Sequence, residues 1–165
     1  MNYLTDTIAA VSTPPGTGAI AIIRVSGPDS FSIVQKIVEI NISFSDMLPR
    51  TAYHAKVINQ ENDHIIDDIL VMKFSAPNSY TGQDLIELYC HGGIFVVQYI
   101  LRLCIMNGAQ PAEPGEFTKR AFLNGKIDLI QAESIADTIH AQSEASLTIS
   151  QNQLQGNLSK ELKDI

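Results

Sequence analysis

Hydrophobic and polar residues alternate in several short stretches of the first two thirds of the chain, which predicts β-strands with one face in a core. The clearest such stretch follows a polar turn at residues 78–84 and ends at a Gly-Gly pair. Within it, the odd-numbered side chains from Leu85 to Tyr89 share one face. Glu87 is therefore a carboxylate among apolar neighbours, with no cation beside it along the strand. A carboxylate in this position meets either water or a specific partner.

The remaining pattern predicts further strands and two amphipathic helices. Strands are expected at residues 6–12, 20–25, 53–58, 69–74 and 109–112, with a hairpin loop over 59–63. One helix carries the apolar stripe Phe31, Val34, Ile37 and Val38, and the other spans 94–106 and stops at Asn-Gly. The order β, β, α, β, β, β, α, β predicts an α+β domain with a mixed, largely antiparallel sheet and flanking helices.

From about residue 114 the pattern becomes helical only, so an all-α segment is expected to follow the sheet. A short helix is predicted over 117–123, and Asp128 with Gln131 resembles a capping box. Apolar residues at intervals of three and four from Leu129 to Leu162 then predict one long amphipathic helix, interrupted by Gly156. We divide the chain into domains at 1–117 and 118–165. Because nothing in the sequence covers the last apolar stripe, we expect a longer protein or a partner chain to do so.

Composition and charge narrow the class of protein. A 165-residue chain with 45% hydrophobic residues can bury a core, and its net charge of −7 disfavours a generic nucleic-acid surface. Cys90 and Cys104 fit a reduced protein better than a disulfide, and their spacing matches no zinc site. The sequence shows no signal peptide and no apolar run near the ~20 residues that span a bilayer. We expect a cytoplasmic protein without membrane association.

Short motifs taken singly do not identify a function. The Gly-rich segment 13–18 precedes its strand and lacks the Gly-Lys-Ser/Thr ending, and Gly125-Lys126 is followed by Ile127, so neither is a phosphate loop. Taken alone, Arg24 is explained by an ordinary ion pair or by a side chain whose charged end reaches water. Lys126 taken alone is explained as a solvated surface lysine. His91 lacks a Ser or Cys nucleophile arrangement and fits a turn or capping residue. We therefore expect no nucleotide site in these residues.

The order of the motifs is more specific than any one of them. They are Asp6-Thr7-Ile8-Ala9-Ala10, Thr13-Pro14-Pro15-Gly16-x-Gly18, Arg24-Val25-Ser26-Gly27, Pro77-Asn78-Ser79-Tyr80-Thr81-Gly82, Glu87-Leu88-x-x-His91-Gly92-Gly93, the segment from Pro114 to Leu129 and Gln131-Ala132-Glu133. Together they closely resemble the amino-terminal region of the MnmE (TrmE) family of tRNA-modifying GTPases. The resemblance runs from about residue 6 to residue 156.

The resemblance implies a fold and an activity for the whole protein. The first domain would be similar to the tetrahydrofolate-binding domain of aminomethyltransferases and would form a homodimer. A helical domain with an inserted G domain would follow. With the flavoprotein MnmG (GidA), in a heterotetramer, such proteins add an aminomethyl or carboxymethylaminomethyl group to the wobble uridine (U34) of tRNA. GTP, Mg²⁺ and K⁺ would act only through the G domain, which lies outside these residues, so we expect no catalytic or metal-binding residue here.

The resemblance also implies a site in this chain. The family's folate-contacting positions fall on Arg24, Glu87 and Lys126, for 5-formyltetrahydrofolate or a related reduced folate. A pterin ring offers two parallel N–H donors that a carboxylate accepts together. We therefore expect Glu87 to hold the pterin, while Arg24 and Lys126 bind the anionic tail or the one-carbon group.

Two rival interpretations stay open. In the first, the chain is mainly a dimerisation and docking module without functional folate binding. In the second, which the sequence supports least, it is a free-standing enzyme similar to aminomethyltransferases. The second interpretation lacks a convincing acid–base pair, and the chain is short for it.

Overall fold

The structure is a computed structural model and describes residues 5–59 and 62–156. The described chain divides into two compact units, one ending at Pro114 and the other beginning at Gly115. The first unit contains β1 (Ile8–Val11), β2 (Ile20–Ser26), α1 (Ser30–Gln35), β3 (Val38–Glu39), β4 (Ala52–Ile58), β5 (Ile65–Phe74), β6 (Leu85–His91), α2 (Ile94–Met106) and β7 (Gln110–Pro111). The second contains α3 (Glu116–Leu123), α4 (Leu129–His140) and α5 (Glu144–Leu154).

The strands of the first unit form one seven-stranded sheet in the order β3-β4-β5-β6-β2-β1-β7. Every neighbouring pair is antiparallel except β1 and β7, which run parallel. The predicted α+β class with a mixed, largely antiparallel sheet is therefore confirmed. The division of the protein into functional domains at residues 117 and 118 stays a prediction.

One face of the sheet carries the core. Apolar side chains of the central strands pack there with residues from α1 and α2, and the fully buried members include Ile23, Val25, Val71, Ile86, Leu88 and Ile100. The strand alternation that puts these residues in the core turns Arg24, Glu87 and Tyr89 toward the opposite face. We call this second side of the sheet the polar face, defined by Arg24, Glu87 and Tyr89.

The first helix is shorter than its apolar stripe predicted. It ends at Gln35, and Val38 lies in β3, opposite Val57 of β4. The Ile58 backbone N–H donates to the Ile37 carbonyl, so pairing with β4 draws this segment into an edge strand. Hydrogen bonds across the sheet override a helical pattern of apolar residues here.

The long helix predicted after Asp128 is two helices. Asp128 and Gln131 form the predicted capping box, which begins α4. Ser143, which fitted the apolar stripe, is instead extended and begins α5, because its hydroxyl accepts from the Ser146 backbone N–H at 3.1 Å. The Gln131 side chain donates to the Leu154 carbonyl at 2.8 Å, which joins the start of α4 to the end of α5.

The predicted stripe also included Leu158 and Leu162, which lie outside the described residues. Among the helices that the structure describes, none combines the length and the apolar character needed to cross a membrane.

Candidate functional site

Glu87 meets its partner on the neighbouring strand. In the antiparallel pairing of β2 with β6, Arg24 lies directly opposite Glu87. Arg24 Nε and Nη2 both donate to Glu87 Oε1, at 3.0 and 2.7 Å. Glu87 retains 9% of its accessible surface, so the carboxylate is largely removed from water. The cation that the strand sequence itself lacks is supplied across the sheet, and the structure brings these two predicted site residues together.

Tyr89 is a third member of this cluster. It lies two residues after Glu87 on the same face, and its hydroxyl donates to Glu87 Oε2 at 2.6 Å. Burial, and then the hydrogen bond to Glu87, raise the pKa of Tyr89 to about 12. The phenol therefore remains a proton donor at neutral pH. Its shared strand face with Glu87 was the only sign of Tyr89 in the sequence.

Tyr80 places an aromatic ring beside the ion pair. The Arg24 guanidinium carbon lies 5.2 Å from the centroid of the Tyr80 ring, within the range of a cation–π contact. The tyrosine is 37% exposed, so part of its surface faces solvent. Tyr80 belongs to the polar turn before β6, which the sequence marked as a motif without assigning it a contact.

The turn that carries Tyr80 is anchored to the end of β2. The Thr81 and Ser26 hydroxyls are 2.7 Å apart, both fully buried. The Gly27 backbone N–H donates to the Asp84 carbonyl at 2.9 Å, and the Asp84 carboxylate accepts from the Ala76 backbone N–H at 2.8 Å. Because these bonds fix both ends of the turn, Tyr80 is held beside Arg24 by the backbone around it.

Apolar side chains surround this cluster on the polar face. Ile20 of β2 is 66% exposed and Leu70 of β5 is 44% exposed. A cavity of about 210 Å³ lies along the same face beyond Tyr89, lined by residues that include Leu70, Tyr89, His54, Asp68 and His91. Neither Arg24 nor Glu87 lines it. The face therefore offers charged groups next to apolar surface, the combination that small-molecule sites use.

His91 has a structural partner. Its backbone N–H donates to Asp67 Oδ2 at 2.8 Å, and its ring Nδ1 lies 2.6 Å from Asp67 Oδ1. Asp67 is 9% exposed, so its carboxylate is largely buried. The pairing of β5 with β6 ends at Leu70 and Tyr89, and beyond it the Asp67 carboxylate replaces a backbone carbonyl as the acceptor for the His91 N–H. This arrangement agrees with His91 as a residue that closes the strand.

The Gly-rich segment packs against the Gly-Gly pair that precedes α2. The Gly18 backbone N–H donates to the Gly92 carbonyl at 3.0 Å. A Cβ on Gly92 would lie 2.6 Å from the Gly18 carbonyl oxygen, closer than such atoms approach. Glycine is therefore required at residue 92 by close contact between two backbone segments.

A second cavity lies beside this segment, among core-side residues. It measures about 420 Å³ and is lined by Val11, Thr13, Pro14, Pro15, Gly16, Ala21, Ile94, Val97 and Gln98. None of these lining residues is charged, so this cavity offers no group to recognise an anion or an N–H edge by charge.

Lys126, the third predicted site residue, belongs to the second unit. It is exposed and follows α3 at a turn where Gly125 has a φ of 67°. The Lys126 backbone N–H donates to the Ala121 carbonyl at 2.9 Å, so the turn is fixed to the end of α3. Its joint action with Arg24 and Glu87 stays a prediction.

The two cysteines are free and buried. Burial raises the pKa of Cys90 to about 11 and that of Cys104 to about 12. Both thiols are therefore protonated and unreactive at neutral pH. Among the described residues there is also no group of three or more His, Cys, Asp or Glu side chains placed to hold a metal ion.

Comparison with known proteins identifies the family. The family model described as the N-terminus of the GTP-binding protein TrmE matches residues 7–126. Proteins named tRNA modification GTPase MnmE are similar over most of this chain. The one from Thermotoga petrophila is 52% identical over 93% of this chain and 33% of its own length. Those from Acetivibrio thermocellus and Bacillus subtilis are 46% and 44% identical, over 98% and 93% of this chain.

The chain spans about a third of the length of these curated relatives. A family model that matches residues 7–126 and relatives that align along nearly the whole chain point to the same family. The chain belongs to the family of TrmE N-terminal domains, the N-terminal part of tRNA modification GTPases.

Proposed function

We propose that the first unit of this chain binds a reduced folate, of the 5-formyltetrahydrofolate type, on the polar face of its sheet. The observation that carries the proposal is the Arg24–Glu87 ion pair, which lies largely buried among Tyr80, Tyr89 and exposed apolar side chains. The ion pair lies beside two aromatic side chains, and apolar side chains and a cavity lie along the same face of the sheet. A planar, partly charged ligand uses all of these features.

The chemistry of the charged groups matches different parts of a folate. The pterin edge presents a 2-amino group beside a ring N–H, and a carboxylate such as Glu87 accepts both. The glutamate tail is anionic, and Lys126 is a cation of the kind that binds it. Arg24 contacts Glu87, so in this proposal it lies near the pterin and the one-carbon group. In this proposal the role of the domain is to hold a one-carbon donor.

The relatives' names support a GTPase that acts in tRNA modification, and the finer details of its activity are proposals. We infer that the parent protein hydrolyses GTP through a G domain that requires Mg²⁺ and K⁺. Together with the flavoprotein MnmG it would modify the wobble uridine of tRNA in the cytoplasm. The homodimer through this domain and the heterotetramer with MnmG are proposals of the same kind.

Calorimetric titration with 5-formyltetrahydrofolate tests ligand binding directly. The Glu87→Gln variant keeps the shape of the side chain but replaces one acceptor oxygen with a donor, and we expect binding to weaken by about 2–5 kcal/mol. Glu39→Gln, at an exposed position on the short edge strand β3, is the matched control and should bind like the wild type. Unchanged affinity in Glu87→Gln would contradict the assignment of Glu87.

A second candidate function is dimerisation and docking without folate binding. The exposed Ile20 and Leu70 on the polar face favour it, since adjacent apolar side chains of this size often mark an interface. Light scattering with and without the folate separates the two. A dimer that forms without ligand and binds none would support the second candidate. A chain that binds the folate, whatever its oligomeric state, would support the first.

A further inference from the structure

The Glu87 carboxylate has little hydrogen-bonding capacity left. A carboxylate offers about four lone-pair sites, two on each oxygen. Arg24 Nε and Nη2 both donate to Oε1, at 3.0 and 2.7 Å, and the Tyr89 hydroxyl donates to Oε2 at 2.6 Å. Among the residues that the structure describes, these contacts leave about one site, and it lies on Oε2.

A ligand with two parallel N–H donors needs one free acceptor site on each oxygen of the Glu87 carboxylate. Oε1 is already taken twice by Arg24, so one Arg24 N–H must withdraw when the ligand arrives. Tyr89 can stay, because Oε2 has room for both the phenol and the ligand. Arg24 is therefore the partner that must withdraw, and Tyr89 the one that can remain.

We propose that Tyr89 is the positioning residue that holds Glu87 during this exchange, and that it sets the selectivity of the site for rings with two adjacent N–H donors. The inference rests on the proposed folate site and goes beyond it by naming what orients the carboxylate. The terminal torsion angle of a glutamate side chain is only weakly restricted. A carboxylate held by Arg24 alone would therefore rotate as the guanidinium moves away. A second, fixed donor keeps the plane of the carboxylate in the orientation that the two N–H donors of the ligand need.

The rigid surroundings of Tyr89 suit this role. It lies on a central strand, between β2 and β5, and its backbone pairs with Ile22 and Leu70 on the two sides. Groups on paired strands hold their geometry better than groups on loops. The phenol also remains a donor at neutral pH, because burial and the Glu87 carboxylate raise the pKa of Tyr89 to about 12.

A two-ligand, two-variant titration separates positioning from simple packing. The whole 165-residue chain and its Tyr89→Phe variant are titrated with 5-formyltetrahydrofolate and with its 2-desamino analogue, which lacks one donor of the edge. We expect Tyr89→Phe to weaken binding of the folate about tenfold and of the analogue less than about twofold. Tyr99→Phe removes a hydroxyl from α2 and should change neither.

The remaining outcomes are distinguishable. Equal losses for both ligands would mean that Tyr89 only packs the site, and unchanged or tighter folate binding would mean that the phenol competes with the ligand. Either result overturns the inference. Wild-type protein that binds neither ligand would overturn the proposed folate function itself, and the inference with it. Circular dichroism of Tyr89→Phe verifies that the variant is folded when these affinities are compared.

Discussion

Arg24 and Glu87 lie directly opposite each other on neighbouring antiparallel strands, and two guanidinium nitrogens of Arg24 donate to the same Glu87 oxygen. The other oxygen receives the Tyr89 hydroxyl. The pair joins β2 to β6 in the centre of the sheet, on the face away from the core. It is thus placed to contribute to stability and to binding, and the two contributions can be measured separately.

Breaking the ion pair should destabilise the first unit. Glu87→Leu leaves Arg24 without its carboxylate in a site with little water, and we expect it to lower the free energy of unfolding by about 1–3 kcal/mol in urea denaturation. The double variant Arg24→Met with Glu87→Leu removes both charges and should recover most of this loss. A double variant as unstable as the sum of its single variants would show that the two residues are not coupled.

Asp67 should matter more for stability than its neighbour Asp68. Asp67→Ala removes the acceptor for the His91 backbone N–H and ring, and we expect a loss of about 1–3 kcal/mol. Asp68 contacts His54 at 3.3 Å with both side chains more than half exposed, so Asp68→Ala should cost less than about 0.5 kcal/mol. Hydrogen exchange at the His91 amide should accelerate only in the first variant. Equal effects of the two substitutions would contradict the structural role of Asp67.

The Gly-Gly pair before α2 offers a matched comparison. Gly92→Ala places a Cβ 2.6 Å from the Gly18 carbonyl oxygen, so a backbone segment must move, at a cost of about 1–3 kcal/mol. In Gly93→Ala the nearest atom is 3.8 Å away, an ordinary contact, and the effect should be small. Thermal unfolding of both variants measures the difference. Similar melting temperatures would mean that residues 18 and 92 are not in close contact.

Alkaline pH should destabilise the fold through its buried acids. The pKa is raised to about 11 for Cys90 and to about 12 for Cys104 and Tyr89. The unfolded chain, with thiols of ordinary pKa near ~8.5, releases its protons first as pH rises. The folded state then binds more protons than the unfolded state, so the free energy of unfolding falls with pH.

The fall should therefore begin near pH ~8.5 and continue toward pH ~12. Urea denaturation at a series of pH values measures it. Replacing both cysteines with alanine should flatten the curve, since only Tyr89 of the three groups then remains. A curve of the same slope in the cysteine-free variant would show that the thiols do not contribute.

Much of the fold was predictable because its strands alternate so regularly. The alternation of apolar and polar residues predicted the strands β2 and β6 and the residues of each that face the core. The Asn-Gly pair predicted the end of α2. The α1 end and the break at Ser143 were mispredicted. A hydrogen bond across the sheet decided the first case and a local capping hydrogen bond the second, and a pattern of apolar residues contains no information about either.

The candidate site was predictable only in part. Arg24 and Glu87 were singled out as charges on apolar strands, but their pairing depends on the register of β2 with β6, which one strand's sequence cannot specify. Tyr89 and Tyr80 gave no separate signal, because tyrosines in strands and turns usually serve packing. Their role became visible only when the sheet placed them around one ion pair.

A nuclear magnetic resonance titration of the chain with 5-formyltetrahydrofolate tests folate binding on the polar face most directly. We expect the Arg24 Nε–H resonance and the backbone amides of Glu87 and Tyr89 to shift as the ligand binds, while amides beside the uncharged cavity at Pro14 and Pro15 do not. Shifts confined to that second cavity, or a spectrum unchanged at saturating ligand, would contradict the claim that the polar face of the sheet binds a folate.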